Sequence, residues 1–210
     1  MFDVHSILSS LAIRRPLFHS EADFQHEFAW ELRSLAPEWS VRLEVPSSEI
    51  GVGTTDIVAR RGELCVGVEL KYLTKRLNWN HAGEEFALKA QGATDLRRYD
   101  VLKDVQRMER FNSKFRGPSF VIALTNEAAY WNNGPKRPTI DADFRLNQGR
   151  SLQGQLLWTE HAAPGTIKGR AMPIELHGQY SMDWRDYSQI TTQSGVFRYL
   201  CIAVMGSTNP

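Results

Sequence analysis

The sequence predicts an α/β protein built on a central mixed sheet, with the element order helix, three strands, helix, strand and extra C-terminal strands. Three observations predict this class. Apolar residues recur at helical spacing within residues 20–35, whereas residues 39–71 carry alternating apolar runs typical of strands. A second region of helical spacing precedes Ser119–Thr125. That run is continuously apolar, which favours a strand buried on both faces of a sheet.

Two amphipathic helices are expected before the first strand. The first covers residues 3–12 and has an apolar stripe of Val4, Ile7, Leu8 and Leu11. The second begins after Ser20, a suitable N-cap residue, and ends before Pro37. Its stripe consists of Phe24, Phe28, Leu32 and Leu35. Residues 39–45 then alternate between apolar and polar side chains, which predicts the first strand.

Alternating apolar residues on either side of a glycine predict a β-hairpin, which follows a Ser- and Gly-rich loop at residues 46–53. Glycine supplies the positive φ that tight hairpin loops need. We expect Arg61 and Gly62 to form the loop, which pairs Arg60 with Glu63. This register decides which side chains of the two arms share a face.

The expected register brings three polar residues to one face of the hairpin. Asp56 lies opposite Gly67 and diagonal to Glu69, and Lys71 follows Glu69 by two residues. Because Gly67 has no side chain, it leaves room on that face. The other face is expected to be a continuous apolar surface of Ile57, Ala59, Leu64, Val66, Val68 and Leu70.

Beyond the hairpin, the spacing predicts a long helix over residues 83–112, bent near Gly92 or Asp100. The C-terminal part of the chain then holds three strand candidates separated by Gly and Pro turns. They extend the sheet or form a flap, and they cover residues 154–161, 173–178 and 196–205. Residues 206–210 have the composition of a frayed terminus.

Length and composition favour a soluble single-domain protein. A chain of 210 residues can build one substantial core, so we expect one domain over residues 1–210. Its core spans about residues 20–125 and an elaboration spans about residues 126–210. The charges near the amino terminus have the wrong order for a signal peptide, and no apolar run approaches the ~20 residues of a membrane span. We therefore expect a cytoplasmic protein with no membrane partner.

The two cysteines are expected to be small buried hydrophobic side chains. Cys65 and Cys201 both lie in apolar, strand-like runs, and no spacing typical of a zinc site is present in the sequence. Neither is predicted to be a metal ligand or a disulfide partner.

Two carboxylates and a lysine on one face predict a metal-dependent hydrolytic site. Asp56 and Glu69 offer hard oxygen ligands of the kind that Mg²⁺ or Mn²⁺ prefers, and the Leu70 carbonyl oxygen is a further candidate ligand. Lys71 is placed to position the attacking water and to stabilise charge that builds on a phosphate. Such a site suits the hydrolysis of phosphodiesters.

Asp56 followed by Glu69-Leu70-Lys71 on a predicted hairpin resembles the PD-(D/E)xK nuclease superfamily, which has the restriction-endonuclease-like fold. Thr55 stands where the name of the motif has proline. The core of that family, helix, three strands, helix and strand, is similar to the order predicted over residues 20–125. The resemblance implies a nuclease dependent on Mg²⁺ or Mn²⁺, in which Asp56 and Glu69 hold the metal and Lys71 assists the water.

The resemblance also implies two site residues outside the hairpin. Many members carry a metal-associated Glu on the helix before the first strand, and Glu27 is our candidate. Glu31, one turn later, competes with it, and Glu21 is less favoured because it opens the helix. Relatives similar to RecB-type nucleases place a Gln on the helix after the Lys strand, where Gln91 stands, to orient substrate or lysine. The Tyr that follows this Gln by four residues is replaced here by Asp95.

The distribution of charge favours a nucleic-acid partner. The net charge is only +1, but eleven basic and six acidic residues lie between Lys71 and Arg116, beside the predicted site. On the predicted helix Arg98 shares a face with Asp95, so it either binds a phosphate or pairs with Asp95. DNA is preferred to RNA as the substrate, and a homodimer or a partner subunit is left open.

Two other functions remain compatible with the sequence. One is a non-catalytic nucleic-acid-binding or scaffold protein that retains the fold, and the other is a phage-defence or toxin component active only with a partner. Aromatic side chains in the C-terminal part could stack on bases, although core packing is their commoner role. These are Tyr130, Trp131, Trp184 and Tyr187.

Overall fold

The computed structural model describes residues 1–46, 53–134, 137 and 139–205. Within them the chain is a mixed α/β protein with a central mixed sheet, as the sequence predicts. The predicted terminus at residues 206–210 lies outside the described residues. So does the predicted loop at residues 46–53, apart from its two ends.

Three α-helices and ten strands form in the described residues. The helices are α1 (Val4–Arg14), α2 (Glu21–Leu35) and α3 (Thr94–Asn112). The central sheet contains, in spatial order, β1 (Ser40–Pro46), β2 (Thr54–Arg61), β3 (Leu64–Leu73), β6 (Ser119–Thr125), β10 (Val196–Val204) and β9 (Trp184–Gln189). Two further pairs are β4 (Leu77–His81) with β5 (Glu84–Leu88), and β7 (Ser151–Leu156) with β8 (Ile174–Ser181). None of the helices described here is long and apolar enough to cross a membrane.

In the central sheet, β3 and β6 run parallel and all other neighbours are antiparallel. The sheet separates two apolar clusters. One joins the sheet to α1, α2 and the β4–β5 hairpin and includes Leu8, Phe28, Leu70 and Phe86. The other joins the opposite face to α3 and the β7–β8 pair and includes Val58, Val105, Met108 and Leu176. The structure is therefore layered, with helices on both faces of the sheet.

The two N-terminal helices form where the sequence predicts them. The Ser20 hydroxyl accepts a hydrogen bond from the Asp23 N–H at 3.1 Å and so caps α2. The stripe residues Phe24, Phe28 and Leu32 are fully buried, whereas Leu35 at the helix end is exposed. The buried strand β6 has the predicted bounds and lies in the middle of the sheet.

The predicted register of the β2–β3 hairpin is wrong by two residues. The loop consists of Gly62 and Glu63, so Arg60 pairs with Cys65 and not with Glu63. A loop of Arg61 and Gly62 would have required positive φ at Arg61 in the favoured turn type, which is costly for a residue with a side chain. The observed loop places only Gly62 at positive φ, 59°. A shift of two residues preserves alternation, and Ile57, Ala59, Val66, Val68 and Leu70 all belong to the same apolar cluster.

Gly67 does not leave open space, as we expected from its lack of a side chain. It pairs with Val58, and a Cβ atom built on it would lie 3.2 Å from both Met108 Sδ and the Phe111 ring. The glycine therefore lets α3 approach the sheet closely.

The long helix predicted over residues 83–112 is also wrong in its first part. Residues 84–88 form strand β5, and α3 begins only at Thr94. The turn between β4 and β5 has positive φ at Ala82 (51°) and Gly83 (86°). Two successive positive φ values are typical of a two-residue hairpin loop, but Ala-Gly lacks the Asn or Asp that usually signals one. In this hairpin, Phe86 packs into the core from a strand and not from a helix.

The C-terminal strands partly match their predicted positions. β8 and β10 coincide broadly with the candidates at residues 173–178 and 196–205, whereas β7 ends at Leu156 and its candidate extended to residue 161. β10 and β9 extend the central sheet, and β9 was missed because its sequence is mostly polar. Trp184, Tyr187 and Tyr130 are buried, so these aromatic side chains close the core. Of the two cysteines, Cys65 is buried and Cys201 is partly buried.

Candidate active site

The hairpin places Asp56, Glu69 and Lys71 on the sheet face that packs against α3. Continuing the observed pairing of Ile57 with Val68 by one residue puts Asp56 directly opposite Glu69, and not diagonal to it. The Leu70 N–H donates a hydrogen bond to Asp56 Oδ2 at 2.7 Å, which fixes the Asp56 side chain against β3. The three polar residues are therefore closer together than the predicted register implied.

Helix α3 adds two residues that the sequence did not indicate. Asp104 Oδ2 lies 2.9 Å from Lys71 Nζ, and Arg107 Nη2 lies 3.0 Å from Glu69 Oε1. Asp104 and Arg107 are also paired with each other at 2.8 Å, three residues apart on the helix. Their acid–base spacing was visible in the sequence, but which strand residues they meet depends on how α3 lies across the sheet.

Glu21 is the glutamate of α2 that reaches this region. Its Oε2 accepts a hydrogen bond from the Tyr72 N–H at 2.8 Å, immediately after Lys71. The favoured candidate Glu27 instead pairs with Arg15 at 3.2 Å, and Glu31 pairs with Arg14. Glu21, the least favoured of the three, is therefore the one near Lys71. Glu27 points elsewhere because it is rotated by about 120° from Glu21 around the helix axis.

Gln91 lies near the site but not on a helix, because α3 begins after it. From the segment between β5 and α3, its Nε2 donates to the Tyr72 carbonyl oxygen at 2.8 Å. A second glutamine that the sequence did not indicate, Gln25 of α2, donates to the Asp56 carbonyl oxygen at 2.8 Å. The two amides therefore hold the main chain of β3 and β2 beside the candidate catalytic residues.

Arg98 is a structural residue, and neither role expected for it is correct. Its guanidinium pairs in the interior with Asp141 and donates to the Ala129 carbonyl oxygen at 2.7 Å. It therefore neither pairs with Asp95 nor faces a substrate.

The pKa values of the candidate carboxylates are raised. Burial raises the pKa of Asp56 to about 6, although the Leu70 N–H and the Lys71 charge favour its ionised form. Burial, followed by the charges of Asp104 and Asp56, raises the pKa of Glu69 well above its usual range despite the nearby Arg107. Burial is thus the first cause of both shifts, and neighbouring negative charge adds to it.

Lys71 is held in its protonated form. Burial alone would lower the pKa of Lys71, but the negative charges of Asp104 and Glu21 outweigh burial and raise it. A protonated ammonium cannot act as a general base at neutral pH. Its contribution is therefore that of a positive charge and hydrogen-bond donor.

A cleft of about 570 Å³ opens beside Lys71. Its charged lining residues are Lys71, Arg97, Lys103, Arg107 and Arg170 on the basic side and Glu21, Asp100 and Asp104 on the acidic side. Asp100 is already paired with Arg170 through two contacts, at 2.6 and 2.9 Å. The cleft wall is thus basic in balance, and it includes Arg107, which contacts Glu69.

The donor set of the site fits a cation that keeps part of its water shell. Among the described residues, no three His, Cys, Asp or Glu side chains are arranged as a ready metal site. Asp56 and Glu69 lie opposite each other as a pair of hard donors, and their raised pKa values would be relieved by a positive charge between them. Mg²⁺ is commonly held by one or two carboxylates plus water, which is the arrangement available here.

The Leu70 carbonyl oxygen lies 3.3 Å from Lys71 Nζ, which donates to it.

Comparison of the chain with protein-family models, with curated proteins and with solved structures finds no match. The function proposed below therefore rests on the geometry and electrostatics of the site.

Proposed function

We propose that this protein is a metal-dependent nuclease that hydrolyses phosphodiester bonds, in DNA in preference to RNA. The observation that carries the proposal is the placement of Asp56 opposite Glu69 on adjoining strands, with Lys71 two residues further along β3 and facing the cleft. A buried carboxylate, Glu69, and a half-buried one, Asp56, beside a fixed cation form a site that suits phosphate ester hydrolysis.

Asp56 and Glu69 would hold a Mg²⁺ or Mn²⁺ ion, with water and the Leu70 carbonyl oxygen as further ligands. When bound, the ion would neutralise phosphate charge and lower the pKa of an adjacent water. Lys71 donates hydrogen bonds from a charged ammonium, so it stabilises the additional negative charge on the phosphate in the transition state. Because Lys71 is protonated, removal of the proton from water falls to another group at the site.

Glu21 and Gln91 are positioning residues for Lys71. Both bind the main chain of Tyr72, Glu21 at its N–H and Gln91 at its carbonyl oxygen. These two hydrogen bonds pair both main-chain groups of Tyr72 near the end of β3. Lys71, the preceding residue, is thereby held at the cleft.

The basic wall of the cleft would bind the flanking phosphates of the substrate. Arg97 and Lys103 extend along α3 from the candidate catalytic residues. The Lys103 ammonium is held by Gln106 Oε1 at 2.7 Å, and no carboxylate of the described residues forms an ion pair with it. Its charge is therefore available to an anion. Contacts of this kind give affinity for a polyanion without reading its sequence.

The direct test is cleavage of plasmid, single-stranded DNA and RNA by pure protein with Mg²⁺ or Mn²⁺, and with chelator as the blank. We expect cation-dependent cleavage that falls by about 100-fold or more in Asp56→Ala and in Lys71→Ala. Lys75→Ala is the matched control, because Lys75 is half exposed, pairs with Glu127 at 3.6 Å and lies outside the cleft lining. Lack of cleavage under every condition, with no metal binding by calorimetry, would contradict the proposal, and cleavage that survives both substitutions would mean a contaminant.

One observation favours a second candidate, a non-catalytic nucleic-acid-binding protein. Glu69 and Lys71 are each already paired, with Arg107 and Asp104 respectively. A retained fold with a self-neutralised site would bind nucleic acid through the basic cleft without cutting it. Binding of DNA that is unaffected by Asp56→Ala, combined with no cleavage, is the result that this candidate predicts.

A further inference from the structure

The Arg107 guanidinium is surrounded by oxygen atoms from three elements. Glu69 Oε1 of β3 lies 3.0 Å from Nη2, and Asp104 Oδ1 of α3 lies 2.8 Å from Nη1. The main-chain oxygen of Thr54, in β2, accepts a hydrogen bond from the same Nη2. Two carboxylates and a carbonyl oxygen converging on one positive charge are the kinds of donor that a hard divalent cation also takes.

This guanidinium is the counterion of a carboxylate that water scarcely reaches. The Glu69 side chain is 2% exposed, whereas that of Arg107 is 21% exposed. A buried, ionised carboxylate without a partner is strongly unfavourable, so Glu69 needs an adjacent positive charge whenever it is ionised. In the described structure Arg107 supplies it.

We propose that Arg107 competes with the divalent cation for Glu69, and that metal binding releases the guanidinium from Glu69. The inference depends on the proposed function in one respect, that Glu69 is a ligand of the ion. A guanidinium and a divalent ion at the same carboxylate repel each other, so the two occupants exclude one another. Arg107 thereby sets how much free cation the site requires.

A released Arg107 remains beside the cleft, because its side chain already forms part of the cleft lining. There it gains a new anionic partner only when a phosphate is present. Metal and polyanionic substrate would then favour the same arrangement, because a substrate phosphate would replace the Glu69 carboxylate as an anionic partner of Arg107. The expected consequence is that metal and substrate strengthen each other's binding.

The test is calorimetric titration of the full chain with Mn²⁺, comparing wild type, Arg107→Met and Arg110→Met. Arg107→Met removes the competing charge but keeps an unbranched side chain of similar length. Arg110 is the control because it is an exposed arginine on the same helix that lines a different cavity. We expect Mn²⁺ to bind about tenfold or more tightly to Arg107→Met than to wild type, and the Arg110→Met Kd to stay close to that of wild type.

The outcomes separate this inference from the proposed function. Mn²⁺ binding to wild type that is unchanged or weakened in Arg107→Met would overturn the competition and leave the nuclease proposal standing. Equal strengthening in both variants would also overturn it, because a general loss of positive charge would then explain the effect. Absence of Mn²⁺ binding in all three proteins would contradict both proposals.

A second measurement covers the case in which Arg107→Met does not fold. The ¹⁵N guanidinium signal of Arg107 in wild type, assigned with Arg107→Lys, should change on addition of Mg²⁺ as the contact with Glu69 is lost. The corresponding signal of Arg110 should not change. An Arg107 signal that stays constant at Mg²⁺ concentrations at which calorimetry detects binding would overturn the inference.

Discussion

Two ion-pair clusters that involve the same helix, α3, shift the pKa values of their carboxylates in opposite directions. In the interior, Arg98 pairs with Asp141, and both side chains are nearly inaccessible, at 6% and 5% exposure. Asp141 also accepts a hydrogen bond from the Thr139 hydroxyl at 2.6 Å. Although burial would raise the pKa of Asp141, these partners outweigh it and lower the pKa.

In the cluster around Glu69, the carboxylates outnumber their counterions. The carboxylates of Asp56, Glu69 and Asp104 lie together, with Glu21 nearby, and their adjacent cations among the described residues are Lys71 and Arg107. The pKa values of Asp56 and Glu69 are raised, by burial first and then by neighbouring negative charge. A pair whose charges balance stabilises the fold, whereas an unbalanced cluster opposes it and marks a candidate functional site.

The largest expected effect is in the balanced cluster. Among the described residues, Arg98→Ala leaves Asp141 buried with Arg145, 3.8 Å away, as its remaining charged partner, so the free energy of unfolding should fall by about 3 kcal/mol. Chemical denaturation monitored by circular dichroism measures the change. Arg116→Ala is the control, because its pair with Glu63 is solvent-exposed and should contribute little. A comparably small loss in both variants would refute the structural role of Arg98.

In the unbalanced cluster around Glu69, removal of a charge is expected to increase the free energy of unfolding. The Asp56 pKa is raised from 3.8 to about 6, so the folded state binds more protons than the unfolded state between these values. Stability therefore falls as the pH rises through that interval, and Asp56→Asn should raise the free energy of unfolding by about 2 kcal/mol at pH 7. The gain should vanish below about pH 4, where both states are protonated.

Asp141→Asn is the matched control for this pH dependence. Because its pKa is lowered, the ionised Asp141 stabilises the fold above the ordinary pKa of an aspartate. The substitution should therefore destabilise the protein at pH 7, and the deficit should shrink as the pH falls. Denaturation curves across the pH range measure both variants. If the two substitutions changed stability in the same direction at pH 7, the contrast between the clusters would be wrong.

The smallest expected effect distinguishes Glu21 from Glu27, two of the three glutamates of α2. Glu21→Ala removes the acceptor of the Tyr72 N–H next to Lys71, so cleavage should slow by about tenfold. Glu27→Ala removes a pair with Arg15 away from the cleft and should leave the cleavage rate unchanged. Initial rates on one DNA substrate compare them. A rate loss in Glu27→Ala that exceeds that in Glu21→Ala would reverse the assignment.

The sequence was sufficient for those features of the site that depend on alternation. The predicted loop, Arg61-Gly62, and the observed loop, Gly62-Glu63, give registers that differ by two residues. Because side chains alternate with a period of two, Asp56, Glu69 and Lys71 share one face in both registers. The capped helix α2 and the buried strand β6 were likewise predictable from local patterns. These features depend on residues that are close together in the sequence.

Features that depend on the relative placement of distant elements could not be predicted. Glu21 was less favoured because it opens α2, and helix periodicity does not reveal that this end of the helix approaches β3. Asp104 and Arg107 belong to a surface pattern in the sequence and become site residues only because α3 packs against Gly67. Strand β5 was mistaken for helix since Ala82, in the turn before it, adopts a positive φ that its residue type does not signal.

The cleavage rate of Asp56→Asn, measured with Mg²⁺ or Mn²⁺ beside its stability, tests the central claim most directly. The substitution keeps the size of the side chain and an oxygen able to accept from the Leu70 N–H, but it removes the negative charge. We expect Asp56→Asn to be more stable than wild type at pH 7 and to cleave DNA more slowly by about 100-fold or more. A stabilised Asp56→Asn protein that cleaves as fast as wild type would contradict it.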